Sequence, residues 1–461
     1  MRRNLCGFCL LQLAGTALSA QAPPPLTGAA YRLAEEAYRQ QRAGDLPAAL
    51  RSVDAALEAS PHHPQLLRLK LDLLLAAGSL PAAEELLAQL SSQSPGNLEL
   101  ALLRVHLRQR QGRPGEAAQA ARDLLADPAT PEALRRQARL ALAYACLSLR
   151  QDAAALEQFS SVLDAQSPPG AWLDAGYAAK RLGRNAEAAR LFSRGLDART
   201  ATGVTPAEPA QDYGLRREVE SLQRTWGAVL STAYRQGGLF PGVALEQRIL
   251  QQGLEASWQP ESLARNGRLL QVFVQGFETL HNGHDGTTGG PTVQGAAGLR
   301  VKPFASENLV LAAQKLFPGG RYALDDWLFR AAYSRDRGLD LRPWQEDWSY
   351  WSVYTEGDAF ARSGHYIHQA EVRAGHSWRL PGAEGLGTLS PHLVLAGDYD
   401  NRLPSDRTAA GLGAGLSLRR WFRQDAHRAP ASWIDLTLQA RARLNQASRG
   451  GGLFITLTTS F

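Results

Sequence analysis

From residue 222 onward, apolar and polar side chains alternate with a period of two. In 432–444, Ile434, Leu436, Leu438, Ala440, Ala442 and Leu444 alternate with Asp435, Thr437, Gln439, Arg441 and Arg443. In 411–419, Leu412, Ala414, Leu416 and Leu418 alternate with Gly413, Gly415, Ser417 and Arg419, and in 327–334, Trp327, Phe329, Ala331 and Tyr333 alternate with Leu328, Arg330, Ala332 and Ser334. In 451–461, Leu453, Ile455, Leu457, Thr459 and Phe461 share one face, while Phe454, Thr456, Thr458 and Ser460 share the other. Successive side chains of a strand point to opposite faces, so each segment predicts a strand with one apolar and one mostly polar side. Further candidates are 225–235, 248–258, 268–280, 292–302, 308–317, 350–358, 366–379 and 390–399. That makes about twelve strands, with ten, fourteen or sixteen also compatible. Many have the 9–11 residues that a tilted strand needs to cross a bilayer, and an even number suits a closed single-chain barrel.

Between 27 and 200 the pattern is helical and repeats. Gly44, Gly78 and Gly112 stand 34 residues apart, and Ala49, Ala83 and Ala117 each follow five residues later. After an insertion of about four residues the phase returns at Arg150 with Ala155 and at Gly183 with Ala188. Pro61 and Pro95 share the interval, and Pro128 comes one residue early. A 34-residue period with these marks resembles the tetratricopeptide repeat. The glycines at turn positions 44, 78, 112 and 183 permit the backbone conformation that ends a first helix. The alanine lets the second helix cross closely, and proline stops it before the next pair. Phe159, Phe192 and Ala56 occupy further consensus positions. About five copies are expected, at 29–60, 61–94, 95–128, 131–167 and 168–200. Such a solenoid presents a concave surface to a partner, or serves as a spacer or assembly platform.

The start of the chain sets a compartment. Met1-Arg2-Arg3 is basic, Leu5 to Leu18 is apolar, and small residues follow at Ser19, Ala20 and Ala22. This is the layout of a secretory signal peptide over 1–22, cut between 19 and 22. Cys6 and Cys9 lie inside it, which leaves Cys146 alone in the mature chain and no internal disulfide. Cys146 sits among Leu142, Ala143, Tyr144 and Leu147 and reads as a buried helix residue. Thr200, Thr202, Gly203, Thr205, Pro206 and Pro209 mark a linker over 201–221. The fold class is therefore α+β multidomain: a solenoid over 27–200, then an antiparallel transmembrane β-barrel over 222–461.

Composition agrees with that. The 461 residues are 44% hydrophobic with formal net charge +6, and the mean hydropathy is −0.27. Beyond the leader no run of about 20 apolar residues exists for a membrane helix, whereas a membrane barrel hides its apolar positions by alternation. The positive charge is scattered and makes no nucleic-acid-binding stripe. The polar faces place Arg330, Gln369, Glu371, Arg373, Arg419, Asp435, Gln439, Arg441 and Arg443 toward the lumen. They form either a wall of paired charges or a conduit that offers a hydrated polymer exchangeable hydrogen bonds. Trp344, Trp348, Tyr350, Trp351, Trp378, Trp421, Phe422 and Trp433 crowd the strand ends, as an interfacial girdle would, with sugar-stacking platforms the alternative for some.

No enzyme, metal or cofactor site is expected. His365, His368 and Glu371 form an H-x-x-H-x-x-E string, but a period of two puts His368 and Glu371 on opposite faces. His281, His284 and Asp285 fall in a glycine-rich loop. Gly411-x-Gly413-x-Gly415 lacks the spacing and the following helix of a phosphate loop.

The alternating final strand that closes on Phe461 resembles the recognition signal of bacterial outer-membrane barrels, which implies the barrel assembly machinery as a partner reading Leu457, Thr459 and Phe461. Signal, repeats and barrel in this order resemble outer-membrane exopolysaccharide exporters that carry periplasmic tetratricopeptide repeats. The stretch Asp325 to Pro343, together with Trp348 to Tyr354, Pro391 to Val394 and Gly413 to Arg419, resembles the C-terminal domain family of bacteriophage adsorption protein A (NfrA) over roughly 300–461. The resemblance implies an outer-membrane receptor for a tailed phage, contacted by a phage tail protein, within a system that exports a surface polysaccharide. An inner-membrane glycosyltransferase partner is implied in the same way. The competing class is a barrel that anchors a repeat scaffold for periplasmic partners. Counting hairpins back from the C-terminus puts the loop 335–348 on the side of the repeats; a miscount of one strand puts it on the opposite side.

Overall fold

The computed structural model describes residues 26, 28–201, 209–234, 249–260, 268–283, 287–382, 386–403 and 405–461. The proposed signal peptide over 1–22 lies outside them. The chain divides into two compact units, 1–178 and 179–461.

The first unit is helical: α1 (Gly28–Arg42), α2 (Leu46–Ala59), α3 (Pro64–Ala77), α4 (Leu80–Gln93), α5 (Leu98–Arg110), α6 (Pro114–Ala126), α7 (Glu132–Ser148), α8 (Asp152–Val162) and most of α9 (Pro169–Arg181). Gly44, Gly78 and Gly112 turn the chain between paired helices with φ of 79°, 75° and 71°, a left-handed conformation that costs glycine nothing. At the corresponding turn of the fourth pair, Arg150 takes φ 61° without being glycine. The closely crossing alanines 49, 83, 117 and 155 are fully buried. Leucine layers fill the space between pairs, with Leu67, Leu71, Leu74, Leu86, Leu87, Leu103 and Leu107 in one cluster. Cys146 is buried on α7.

The second unit holds α10 (Asn185–Ala201), α11 (Pro209–Gln223) and twelve strands: β1 (Trp226–Tyr234), β2 (Ile249–Trp258), β3 (Leu269–Asn282), β4 (Gln294–Lys302), β5 (Asn308–Pro318), β6 (Asp326–Arg337), β7 (Asp347–Phe360), β8 (Tyr366–Arg379), β9 (Gly387–Asp400), β10 (Thr408–Phe422), β11 (Ser432–Arg443) and β12 (Gly452–Ser460). Gly183 opens α10 with φ 74°. The strands form a closed antiparallel barrel in which every neighbour is the next in sequence and β1 pairs with β12. Closure leaves no unpaired edge, the condition for a sheet to sit in lipid. The expectation of about twelve strands holds.

The outward positions carry the apolar face. Leu254, Val274, Leu299, Leu311, Phe329, Leu393, Leu395, Leu412, Leu416, Leu436, Leu438, Leu453 and Leu457 are all exposed. In a water-soluble protein so wide an apolar band would be a liability; it is the surface a membrane barrel turns to acyl chains.

Two expectations need correction. The stretch read as linker, 201–221, contains most of helix α11. Pro209 sits at its first turn, where a missing N–H costs nothing, and Leu215 and Val219, four apart, are buried. The aromatic residues read as a girdle divide: Trp351 and Trp378 are exposed on the outside, but Trp348, Tyr350 and Trp421 are buried. Their positions in the alternation point them inward. Exposed Trp226 and Trp258, with ring centroids 6.0 Å apart, mark the outer surface at one end of the barrel, and Phe317, Trp327 and Tyr366 mark it at the other.

Candidate functional site: the barrel interior

Alternation brings six of the seven predicted lumen residues onto one inner wall, in three polar groups. Arg330 on β6 lies in register with Asp358 on β7, and its Nε and Nη2 donate to the two carboxylate oxygens at 2.8 Å each. Its other neighbour is Glu356 at 3.3 Å, which also accepts from Gln369 at 3.0 Å and from the Tyr354 hydroxyl. Arg419 on β10 pairs in the same manner with Asp435 on β11 at 2.9 Å, and its guanidinium lies 4.5 Å from the Trp433 ring centroid. Asp435 accepts in turn from Thr437, whose hydroxyl lies 2.7 Å from that of Ser417.

The third group links strands that are not neighbours. Glu371 on β8 accepts from Arg373 beside it and from Arg441 on β11, three strands away. Arg441 also donates to Gln439 and covers the Phe454 ring, 4.3 Å from its centroid. Gln439 reaches His392 on β9 at 3.2 Å, passing over β10. Gly415 makes that possible: a Cβ there would sit 2.5 Å from His392 Nε2 and 2.7 Å from Gln439 Cγ. The glycine run at 411, 413 and 415 therefore clears the inner face of β10. Arg443, the seventh predicted residue, is exposed at the end of β11.

A fourth polar group escaped the sequence reading. Arg300 on β4 donates to Gln271 on β3 at 2.6 Å and pairs with Glu255 on β2 at 2.7 Å, and Glu255 also accepts from Gln275. The alternation of β2–β4 was weak enough that no facing was assigned to them. Twelve strands enclose more space than the eight that side chains fill easily, so long paired side chains occupy it. Every lumen arginine in these networks is matched by a carboxylate, as buried charges require.

Among the described residues, a buried apolar cluster lies at each end of the barrel. At the end carrying Phe461, Leu341, Trp348, Leu386 and Trp421 form a buried cluster, with Tyr213 of α11 and Trp433 packed on it. Leu341 belongs to the β6–β7 loop, so that loop lies at the barrel end where β1 starts and β12 finishes. At the opposite end, Ala296, Leu316, Leu328, Phe360 and Ile367 pack together. Nearby, Arg449 of the β11–β12 loop donates to Asp398 at 2.7 Å and to the Arg407 carbonyl. The histidine string is scattered: His365 is buried against Asp400 at 2.9 Å, His368 meets Thr355 on the outside, and Glu371 is inside. His284 and Asp285 lie outside the described residues. No group of three or more His, Cys, Asp or Glu side chains among the described residues could hold a metal ion. No described helix is long and apolar enough to cross a membrane, which says nothing of strands.

Residues 285–457 match the family model described as Bacteriophage N adsorption protein A C-term. The NfrA C-terminal match covers β4 to β12 and includes all seven predicted lumen residues; β1, β2 and β3 precede it. Residues 40–107 and 102–171 match two tetratricopeptide repeat models. These are repeat and barrel families, non-enzymatic in kind. No curated protein matches the chain. Among solved structures, the MamA RS-1 ArsTM double mutant aligns over 39% of this chain and 99% of its own at 15% identity with a TM-score of 0.34. PilW, a widely conserved type IV pilus biogenesis factor, aligns over 43% of this chain and 100% of its own at 19% identity and 0.33. A tetratricopeptide repeat protein from Parabacteroides merdae aligns over 42% and 84% at 20% identity and 0.31.

Proposed function

We propose that this chain is an outer-membrane export component for an exopolysaccharide, with its repeats in the periplasm, and that a tailed phage can use the barrel for adsorption through a tail protein. A cleaved signal peptide delivers it across the inner membrane, and the barrel assembly machinery inserts it by reading the Leu457, Thr459 and Phe461 face. An inner-membrane glycosyltransferase supplies the polymer. The observation that carries this reading is the inner wall from β6 to β11, where Arg330, Glu371, Arg373, Arg419, Asp435 and Arg441 are interleaved with Gln369, Gln439, Thr437 and Ser417. Such a wall can exchange its own hydrogen bonds for those of sugar hydroxyls at little net cost.

A second reading, a barrel that only anchors a repeat scaffold, is favoured by one observation: Glu356, Asp358, His392, Asp435 and Gln439 are buried, so the interior is filled. Conductance of the purified full chain in planar bilayers separates the two. An export channel in a closed state conducts little until Glu371→Ala with Arg441→Ala removes the link between β8 and β11, and then conducts in steps. A permanent anchor stays silent in both forms, and loss of the gene then leaves surface polysaccharide unchanged.

A further inference from the structure

Helix α11 makes contacts at the mouth of the barrel that a passive connection to β1 does not need. Tyr213 packs on the cluster of Leu341, Trp348, Leu386 and Trp421, two of which point into the lumen, and its ring meets Trp344 edge-on at 5.5 Å. Burial in this cluster pushes the Tyr213 hydroxyl up to about 12. Arg217, one turn further along, donates to Asp340 of the β6–β7 loop at 2.7 Å. The Arg216 carbonyl accepts from Ala429 N at 3.2 Å, and Arg224 donates to the Ala431 carbonyl at 2.6 Å, both in the β10–β11 loop. The helix and the residue that follows it thus touch two loops, β6–β7 and β10–β11, at the same end of the barrel.

The bridge continues into α10 and the last turn of α9. Asp197 of α10 accepts from His427 of the β10–β11 loop at 2.7 Å, Arg199 pairs with Asp212 at 2.7 Å, and Lys180 pairs with Glu218 at 2.5 Å. The two polar contacts to the barrel loops are open to solvent: Arg217 and Asp340 are 52% and 62% exposed, and His427 and Asp197 are 37% and 54% exposed. Exposed pairs are weak and easily exchanged for water. The contact of α11 with the cluster at the mouth is apolar, while its polar contacts to the loops are exposed.

We propose that α11 is a lid over the lumen mouth at the Phe461 end, latched by Arg217–Asp340 and Asp197–His427 and seated by Tyr213, and that displacement of α10 and α11 uncovers the lumen. The inference rests on the export reading for its purpose but not for its test. In the full chain, with Cys6, Cys9 and Cys146 replaced by alanine, a cysteine is placed at Leu386, under the lid, and its labelling by a water-soluble maleimide is timed in reconstituted vesicles. Arg217→Asp sets a carboxylate against Asp340 and raises the labelling rate about threefold, since an exposed pair contributes little. Adding Tyr213→Ala removes the seat and raises it by at least about tenfold. The charge swap Arg217→Asp with Asp340→Arg brings the rate back to within about twofold of the parent, because the pair is re-formed. Labelling unchanged in the double variant Tyr213→Ala/Arg217→Asp, with the barrel still heat-modifiable, overturns the lid; so does a swap that labels as fast as Arg217→Asp alone. Faster labelling supports it, and bilayer conductance measured on the same samples reports separately on the export reading.

Discussion

Arg330 and Asp358 face each other across β6 and β7 in one register, joined by two parallel hydrogen bonds of 2.8 Å, with Glu356 completing the guanidinium's surroundings at 3.3 Å. Asp358 is 2% exposed and Glu356 5%. Removing the arginine strands two carboxylates in a place water barely reaches. Arg330→Met is therefore expected to cost about 3–5 kcal/mol, the range for breaking a buried pair from one side. Arg330→Met combined with Asp358→Leu and Glu356→Gln should recover most of it. Urea unfolding of the folded barrel in detergent measures both; equal stability of the single and triple variants contradicts the pairing.

The outer face makes the opposite demand. Leu438, in register with Leu416 and Ile455, is exposed in mid-strand, and arginine there should cost about 2–4 kcal/mol. Leu438→Ile should be neutral. Sequence alternation alone suggests that the inward Arg441 tolerates glutamine, but its bonds to Glu371 and Gln439 reverse that expectation: Arg441→Gln leaves Glu371 only Arg373 as a cationic partner. Reduced unfolding midpoints for Leu438→Arg and Arg441→Gln, with Leu438→Ile unchanged, fit the assigned faces. A tolerated Leu438→Arg means that the register is off by one residue.

The twelve strands and the facing of Arg330, Glu371, Arg419, Asp435 and Arg441 were legible because a period of two survives in single segments. Which charges meet was not. Glu371 and Arg441 are 70 residues and three strands apart, and only the curl of the sheet from β8 to β11 brings them together. Trp348 and Trp421 looked like girdle residues because tryptophan at a strand end suits an interface; both point inward and join one buried cluster. Helix α11 was hidden by the threonine, glycine and prolines before it, although Leu215 and Val219 gave a helical spacing. His365 and Asp400 belong to a turn and a strand end, where no periodicity operates.

Phe461 contributes to barrel closure. Its N–H donates to the Ala228 carbonyl at 2.8 Å, extending the β1–β12 seam, and its ring meets Phe422 edge-on at 5.9 Å. Phe461→Ser should lower the amount of heat-modifiable barrel in the outer-membrane fraction, whereas Phe461→Tyr should preserve it. Wild-type levels with serine would show that neither the seam nor the assembly machinery depends on the ring.

Arg150 holds φ 61° at a turn where Gly44, Gly78, Gly112 and Gly183 stand in the other pairs. A side chain in the left-handed region is strained by roughly 1 kcal/mol relative to glycine. Arg150→Gly should therefore stabilise the helical unit by up to about that amount, less what glycine's unfolded-state freedom takes back. The reverse change, Gly78→Arg, should destabilise it. Circular dichroism melts of the full chain followed at the helical band test both, and a lower melting temperature for Arg150→Gly contradicts the shared turn geometry.

His365, in the turn between β7 and β8, is 3% exposed and stacks on Phe360 with ring centroids 4.6 Å apart. Its Nε2 donates to Asp400, which also accepts from Arg402. Its Nδ1 is buried without a partner. Burial, with Arg402 nearby, lowers the ring's proton affinity below the ordinary 6.5, although Asp400 and Asp358 pull it upward. The unfolded chain therefore takes up the proton first. Stability contributed by the neutral ring is complete above pH 6.5 and is lost as the pH falls through the lower, folded value. Melting of the wild-type barrel should drop as the pH falls below about 6.5 by more than other groups account for. His365→Gln keeps a donor for Asp400 and cannot titrate, so it should flatten that part of the profile. An identical pH dependence in the two proteins would mean that His365 takes up its proton at the same pH in the folded and the unfolded chain.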